Sequence, residues 1–147
     1  MANPFERALY DAATLTFREL ASMSVTQAQR RRWKKEPEVS VQVSFSGPYC
    51  GTLYLSISDS ILPKLAANML GEDTPPAEEL QCDALGEFAN VICGNLLPKI
   101  GGTQAVYDVG VPLLVNMNTY LVFDPAAEVE IGLDGGRTEL CLSLLDE

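Results

Sequence analysis

The chain has 147 residues, 47% of them hydrophobic and 20% charged, which suits a single folded domain and excludes a disordered one. A net charge of −10 argues against duplex nucleic acid and against an anionic membrane surface, because phosphate would repel the chain as a whole. The absence of histidine removes the usual zinc sites, the histidine-based triads and a histidine phosphorelay.

Four cysteines are present, Cys50, Cys82, Cys93 and Cys141. They form no Cys-x-x-Cys pair and lie among apolar residues, so they read as reduced, mostly buried thiols. The first residues show no basic stretch followed by an apolar one, and no apolar run is long enough to cross a bilayer. The expectation is one cytoplasmic domain over residues 1–147.

Asn3 and Pro4 resemble an N-cap followed by a first-turn proline, and Phe5, Leu9, Ala12, Phe17 and Leu20 continue at helical spacing, predicting a helix over about 4–23. Gln29 to Lys35 follows, with five basic residues around Trp33. In so acidic a chain this reads as a solvated connector before a nucleic-acid or docking patch. Val39, Val41, Val43 and Phe45 alternate with polar residues, and after Gly47-Pro48 the alternation resumes from Cys50 to Ser58. The pair predicts an antiparallel hairpin with one buried face.

Ser58 or Asp59 is expected to cap a second helix that ends at Gly71. A polar connector with Pro75-Pro76 leads to a third helix over about 77–98. Thr103 to Gly110, Leu113 to Val115, Thr119 to Phe123, and two strands either side of Asp134-Gly135-Gly136 complete the chain. Three helices and about six strands, most neighbours joined by hairpins, predict an α+β fold: helices on a mixed, largely antiparallel sheet.

The third helix is the informative element. At about 100° per residue, Asp83, Glu87 and Asn90 fall within an arc roughly 60° wide, with Gly94 one turn further along and Gly86 at its edge. Leu85, Phe88, Ala89, Ile92 and Leu96 take the opposite, core-facing arc. Carboxylates at this spacing are common on solvated faces, and that plain reading stands beside a functional one. Glycine in a helix interior costs about 1 kcal/mol relative to alanine, so Gly86 and Gly94 suggest either close approach by a partner or tight helix packing. Two acids side by side on one helix do not suit a glycosidase, and three such ligands make a thin magnesium or calcium site. A side-chain amide that orients water for attack on a phosphoryl group suits the residues present; the metal and cations would then come with a protein substrate.

The run Asp83-x-x-x-Glu87-x-x-Asn90, with Pro112 after twenty-one intervening residues, resembles the signature of the chemotaxis phosphatases CheC, CheX and FliY. Leu70-Gly71-Glu72 and Gly94-Asn95 fit as well, and one motif rather than two resembles CheX more than CheC. The resemblance covers essentially the whole chain, most specifically about thirty residues of it. It implies hydrolysis of the aspartyl phosphate on the response regulator CheY. In that scheme Asn90 orients the attacking water and Glu87 contacts the regulator's active-site lysine. Asp83, Gly86, Gly94 and Pro112 would meet the partner or shape the ridge. No cofactor of the chain's own is implied, magnesium belongs to the regulator, and a homodimer is expected. The alternatives are a non-enzymatic receiver-binding scaffold, as in the same-fold domain of the flagellar switch protein FliM, and a small-molecule sensor.

Overall fold

The structure is a computed structural model that describes residues 3–26, 38–115 and 125–145. Helix α1 (Pro4–Ala21) starts as its sequence demands: the Asn3 side chain accepts a hydrogen bond from the Glu6 amide at 2.7 Å, with Pro4 in the first turn. It closes with Ser22 in the left-handed region, φ 52. Strand β1 (Val25–Thr26) follows at once. The basic stretch Gln29 to Lys35 lies outside the described residues, as does the expected strand Thr119 to Phe123.

Strands β2 (Glu38–Ser46) and β3 (Gly51–Ser58) form the expected hairpin, paired from Glu38 with Ser58 to Phe45 with Gly51. Helix α2 (Leu62–Leu70) ends on Gly71 at φ 70, as its sequence predicts. Its start differs from expectation. Neither Ser58 nor Asp59 caps it; the N-cap is Ile61, with no side-chain hydrogen bond. The Ser58 hydroxyl instead accepts from the Arg137 amide at 2.9 Å, so tertiary pairing has claimed the capping group.

Helix α3 (Glu78–Gly101) has 24 residues, roughly 36 Å at 1.5 Å per residue. It runs past Pro98 to Gly101. Proline there leaves the Gly94 carbonyl without its usual helical donor, which is tolerable because Gly94 is exposed to water. The expected strand at Thr103–Gly110 shrinks to β4 (Asp108–Val109); β5 (Leu113–Val115), β6 (Ala127–Leu133) and β7 (Gly136–Leu144) complete the set.

These seven described strands form one sheet in the order β1-β6-β7-β3-β2-β4, with β5 also on β2. Every described pair is antiparallel, so no parallel pairing of the expected mixed sheet occurs among the described residues. The two-residue β1 was not legible in the sequence, being too short to show alternation. All three helices pack on one sheet face. Val41, Leu53, Leu55, Ile131, Leu140 and Leu142 point into them, and the core is one continuous cluster. Phe17 of α1 meets Phe88 of α3 with ring centroids 4.6 Å apart, which pins α3 from one side.

On the sheet's other face one guanidinium serves three carboxylates. Arg137 lies 2.7 Å from Glu130, and 3.4 Å from both Glu38 and Glu139. Burial nonetheless pushes the Glu139 carboxyl above its ordinary value, against the pull of Arg137 and with help from Glu130 and Glu128.

Candidate functional site

The outer edge of β2 is covered by two short strands rather than one. Val109 pairs with Phe45 and Leu113 with Gln42, so four residue steps on one strand face three on the other. The extra residue makes a bulge at 110–112, the kind of place where an edge strand admits a proline. Gly110 still donates its amide to Ser44 O at 2.8 Å. Pro112 is thereby brought against α3.

Gly86 receives it. A Cβ on residue 86 would come within 3.1 Å of the Pro112 Cβ. Gly86 is buried, and the close approach on its side is made by the chain's own proline. Gly94 is different: it is exposed, and a Cβ there would meet nothing within 4 Å.

Between α3 and the bulge lies a groove of about 430 Å³ lined by Asp83, Gly86, Glu87, Asn90 and Pro112, with Val41, Cys82, Val111 and Leu114. All the residues singled out from the sequence except Gly94 therefore share one cleft. Asp83 and Glu87 are exposed, and Asn90 is half-buried. The Asn90 amide oxygen is buried and takes no hydrogen bond from any of the described residues. A half-turn of the carboxamide exchanges its oxygen and its NH2, so the group can offer the groove an acceptor or a donor. An unsatisfied buried amide atom costs free energy that an incoming polar group or water would recover.

Sequence reasoning missed Cys82, Val111 and Leu114. The signal for the last two was present, since both follow the Gly110 break that places Pro112. Cys82 is no candidate nucleophile: burial, then Glu78, Asp83 and Asp59, hold its thiol above the ordinary value and so protonated near neutral pH. Among the described residues no group of three or more Cys, Asp or Glu side chains is arranged to hold a metal ion. No described helix is long and apolar enough to cross a membrane. Asn95, five residues beyond Asn90, faces inward instead; its NH2 donates to the Thr16 hydroxyl of α1 at 2.9 Å.

Residues 39–133 match the family described as chemotaxis phosphatase CheX. The chain belongs to the CheX family. Its fold is similar to that of CheX from Desulfovibrio desulfuricans, at TM-score 0.74 and 17% identity over 96% of this chain and 99% of that one. CheX from Vibrio vulnificus superposes at TM-score 0.73 and 15% identity, covering 96% of each chain. A third similar structure comes from the CheX–CheY–BeF3–Mg2+ complex of Borrelia burgdorferi, at TM-score 0.70 and 17% identity over 95% of this chain and 97% of that one. No curated protein matches by sequence. Within this family frame, the match begins at β2 and ends on the last residue of β6, so it includes the ridge, the bulge and Pro112.

Proposed function

We propose that this CheX-family chain hydrolyses the aspartyl phosphate of a CheY-type receiver domain, using a water held by Asn90. The observation that carries the reading is the Asn90 carboxamide: half-buried, unsatisfied at its oxygen, and opening on the same groove as Glu87 and Asp83. The receiver supplies the phosphoryl group, with the magnesium that neutralises its charge. The chain supplies position. Asn90 enters beside the phosphorus and orients one water in line with the bond to the aspartate. The water oxygen bonds to phosphorus as the P–O bond to the aspartyl carboxylate breaks; the water's proton leaves with phosphate and solvent. Glu87, exposed one turn before, pairs with a lysine of the receiver and holds the register. Asp83 adds a second carboxylate to that contact. Pro112 on Gly86 sets the groove's depth, and Gly94 leaves the ridge bare beyond Asn90.

The test is phosphate release from phosphorylated receiver domains of the same organism. Acceleration by the wild-type chain and its loss in Asn90→Ala support the reading; full activity in Asn90→Ala overturns the mechanism. Receiver binding without acceleration would instead identify a scaffold. The family resemblance also implies a homodimer, and the exposed apolar residues Val109 and Leu113 on the β4–β5 edge offer it a surface. Light scattering coupled to gel filtration measures it directly; a single monomer mass at micromolar concentration would refute it.

A further inference from the structure

The ridge has a second flank. On the side of α3 away from Pro112, Leu80, Ala84, Glu87 and Val91 recur at helical spacing. With Leu20 of α1 and Met69 and Leu70 of α2 they line a groove of about 360 Å³. Asp83 and Glu87 stand between the two grooves and line both. Asn90 opens only on the first. The second groove therefore has no group for the chemistry, yet it adjoins the residues that would hold the substrate.

Its surface is unusual for water. Leu70 and Leu80 are each 51% exposed and Val91 is 37% exposed, on neighbouring helices. Its mouth is acidic: Asp83 and Glu87 line it, and the exposed Glu72, Asp73, Glu78 and Glu79 lie on the connector and first turn leading into Leu80. None of the described residues that line it is basic. The matching occupant has apolar side chains flanked by lysine or arginine.

Size points the same way. A stable protein–protein contact buries about 800 Å² on each side around an apolar centre. Asp83 to Asn90 covers only about 10 Å of helix, at 1.5 Å per residue, and presents three polar side chains. The groove on the Pro112 side adds the exposed Val111 and Leu114 on one flank of the ridge; apolar contact on the other flank would set the ridge at the centre of the interface. We infer that the Leu70–Leu80–Val91 groove docks an apolar, lysine- or arginine-flanked helix of the receiver domain, next to its phosphorylation pocket. This rests on the phosphatase reading above and assigns its docking half to the α2–α3 side. The chemistry occupies the α3–β5 side.

The test uses the full chain with a CheY-type receiver, in two arms: steady-state turnover of the phosphorylated receiver, and binding of the receiver charged with beryllofluoride and magnesium. Leu70→Gln combined with Leu80→Gln raises KM and Kd by about tenfold or more with kcat within about twofold. Asn90→Ala shows the opposite split, a fall in kcat with little change in Kd. Leu145→Gln, 69% exposed and on neither groove, changes none of these. Val91→Ala gives a milder rise in Kd without adding a polar group, and circular dichroism checks that each variant folds. Unchanged KM and Kd in the double glutamine variant overturn the inference while the phosphatase reading stands. Wild-type binding without turnover overturns the phosphatase reading alone, since Kd still reports on the groove. No wild-type binding to any receiver overturns both.

Discussion

The ring of Pro112 rests on the bare Cα of Gly86, so a strand bulge and a helix that are separate in sequence share one wall of the groove. Alanine at residue 86 would gain about 1 kcal/mol of helix propensity. It would also place a Cβ 3.1 Å from the proline, and the bulge must give way. Gly86→Ala is expected to alter stability by less than about 1 kcal/mol, with the two effects offsetting. Turnover of a phosphorylated receiver should fall, because the wall moves. Gly94→Ala is the contrast. With open space around it, the fold should gain about 0.5–1 kcal/mol, read as a raised midpoint in denaturant. If the receiver lies against that bare turn, KM rises despite the better fold; an unchanged KM would place the partner elsewhere.

Asn90 and Asn95 are the same residue type on one helix with opposite assignments. Asn90→Ala is expected to lower kcat by at least about 100-fold, the scale of a misplaced reacting group, with the unfolding curve nearly unmoved. Asn90→Asp should be as inactive, since a carboxylate would face the phosphoryl charge.

Asn95→Ala should behave in reverse. The 2.9 Å bond to Thr16 joins α3 to α1 at a buried hydroxyl, which itself donates to Ala12 O at 2.7 Å. Its loss is expected to cost about 1–2 kcal/mol in chemical denaturation. Activity per folded molecule should stay at the wild-type level. A fall in kcat at full folding would show that Asn95 reaches the site.

The thiols give a pH prediction. Burial raises Cys93 from 9.0 to about 12, and burial followed by Glu128 raises Cys141 to about 11. Both folded values lie above the unfolded one, so the unfolded chain loses these protons first. Their contribution is fully present below pH 9.0 and is lost progressively toward about 12 and about 11. Stability should therefore fall above pH 9.0 by up to about 1.4 kcal/mol per unit for each thiol. Serine at either position should flatten that limb of the curve. In a thiol titration of the native protein near neutral pH, the buried Cys93 and Cys141 should stay unreactive until the chain unfolds.

Much of the fold was readable from local pattern. The Asn3-Pro4 start, the β2–β3 hairpin, Gly71 at the end of α2 and the core arc of α3 are each set by residues close in sequence, whose capping and periodicity act within a few turns. The failures share one cause. Ser58 looked like a cap but bonds to the Arg137 backbone, 79 residues away, and Thr103 to Gly110 looked like a strand but had only the end of β2 to pair with. Both outcomes depend on partners that local propensity does not encode.

The candidate site divides along the same line. Helical period alone determined that Asp83, Glu87 and Asn90 share a face and that the opposite face is core. Tertiary structure decided what surrounds that face. It decided that Gly86 admits Pro112 while Gly94 stays open, that Asn90 is half-buried with an unsatisfied oxygen, and that a second groove lies behind Glu87. A helix face follows from rotation about one axis, whereas a groove needs a second element at a set distance, and that distance comes from the strand register and one extra residue at the bulge.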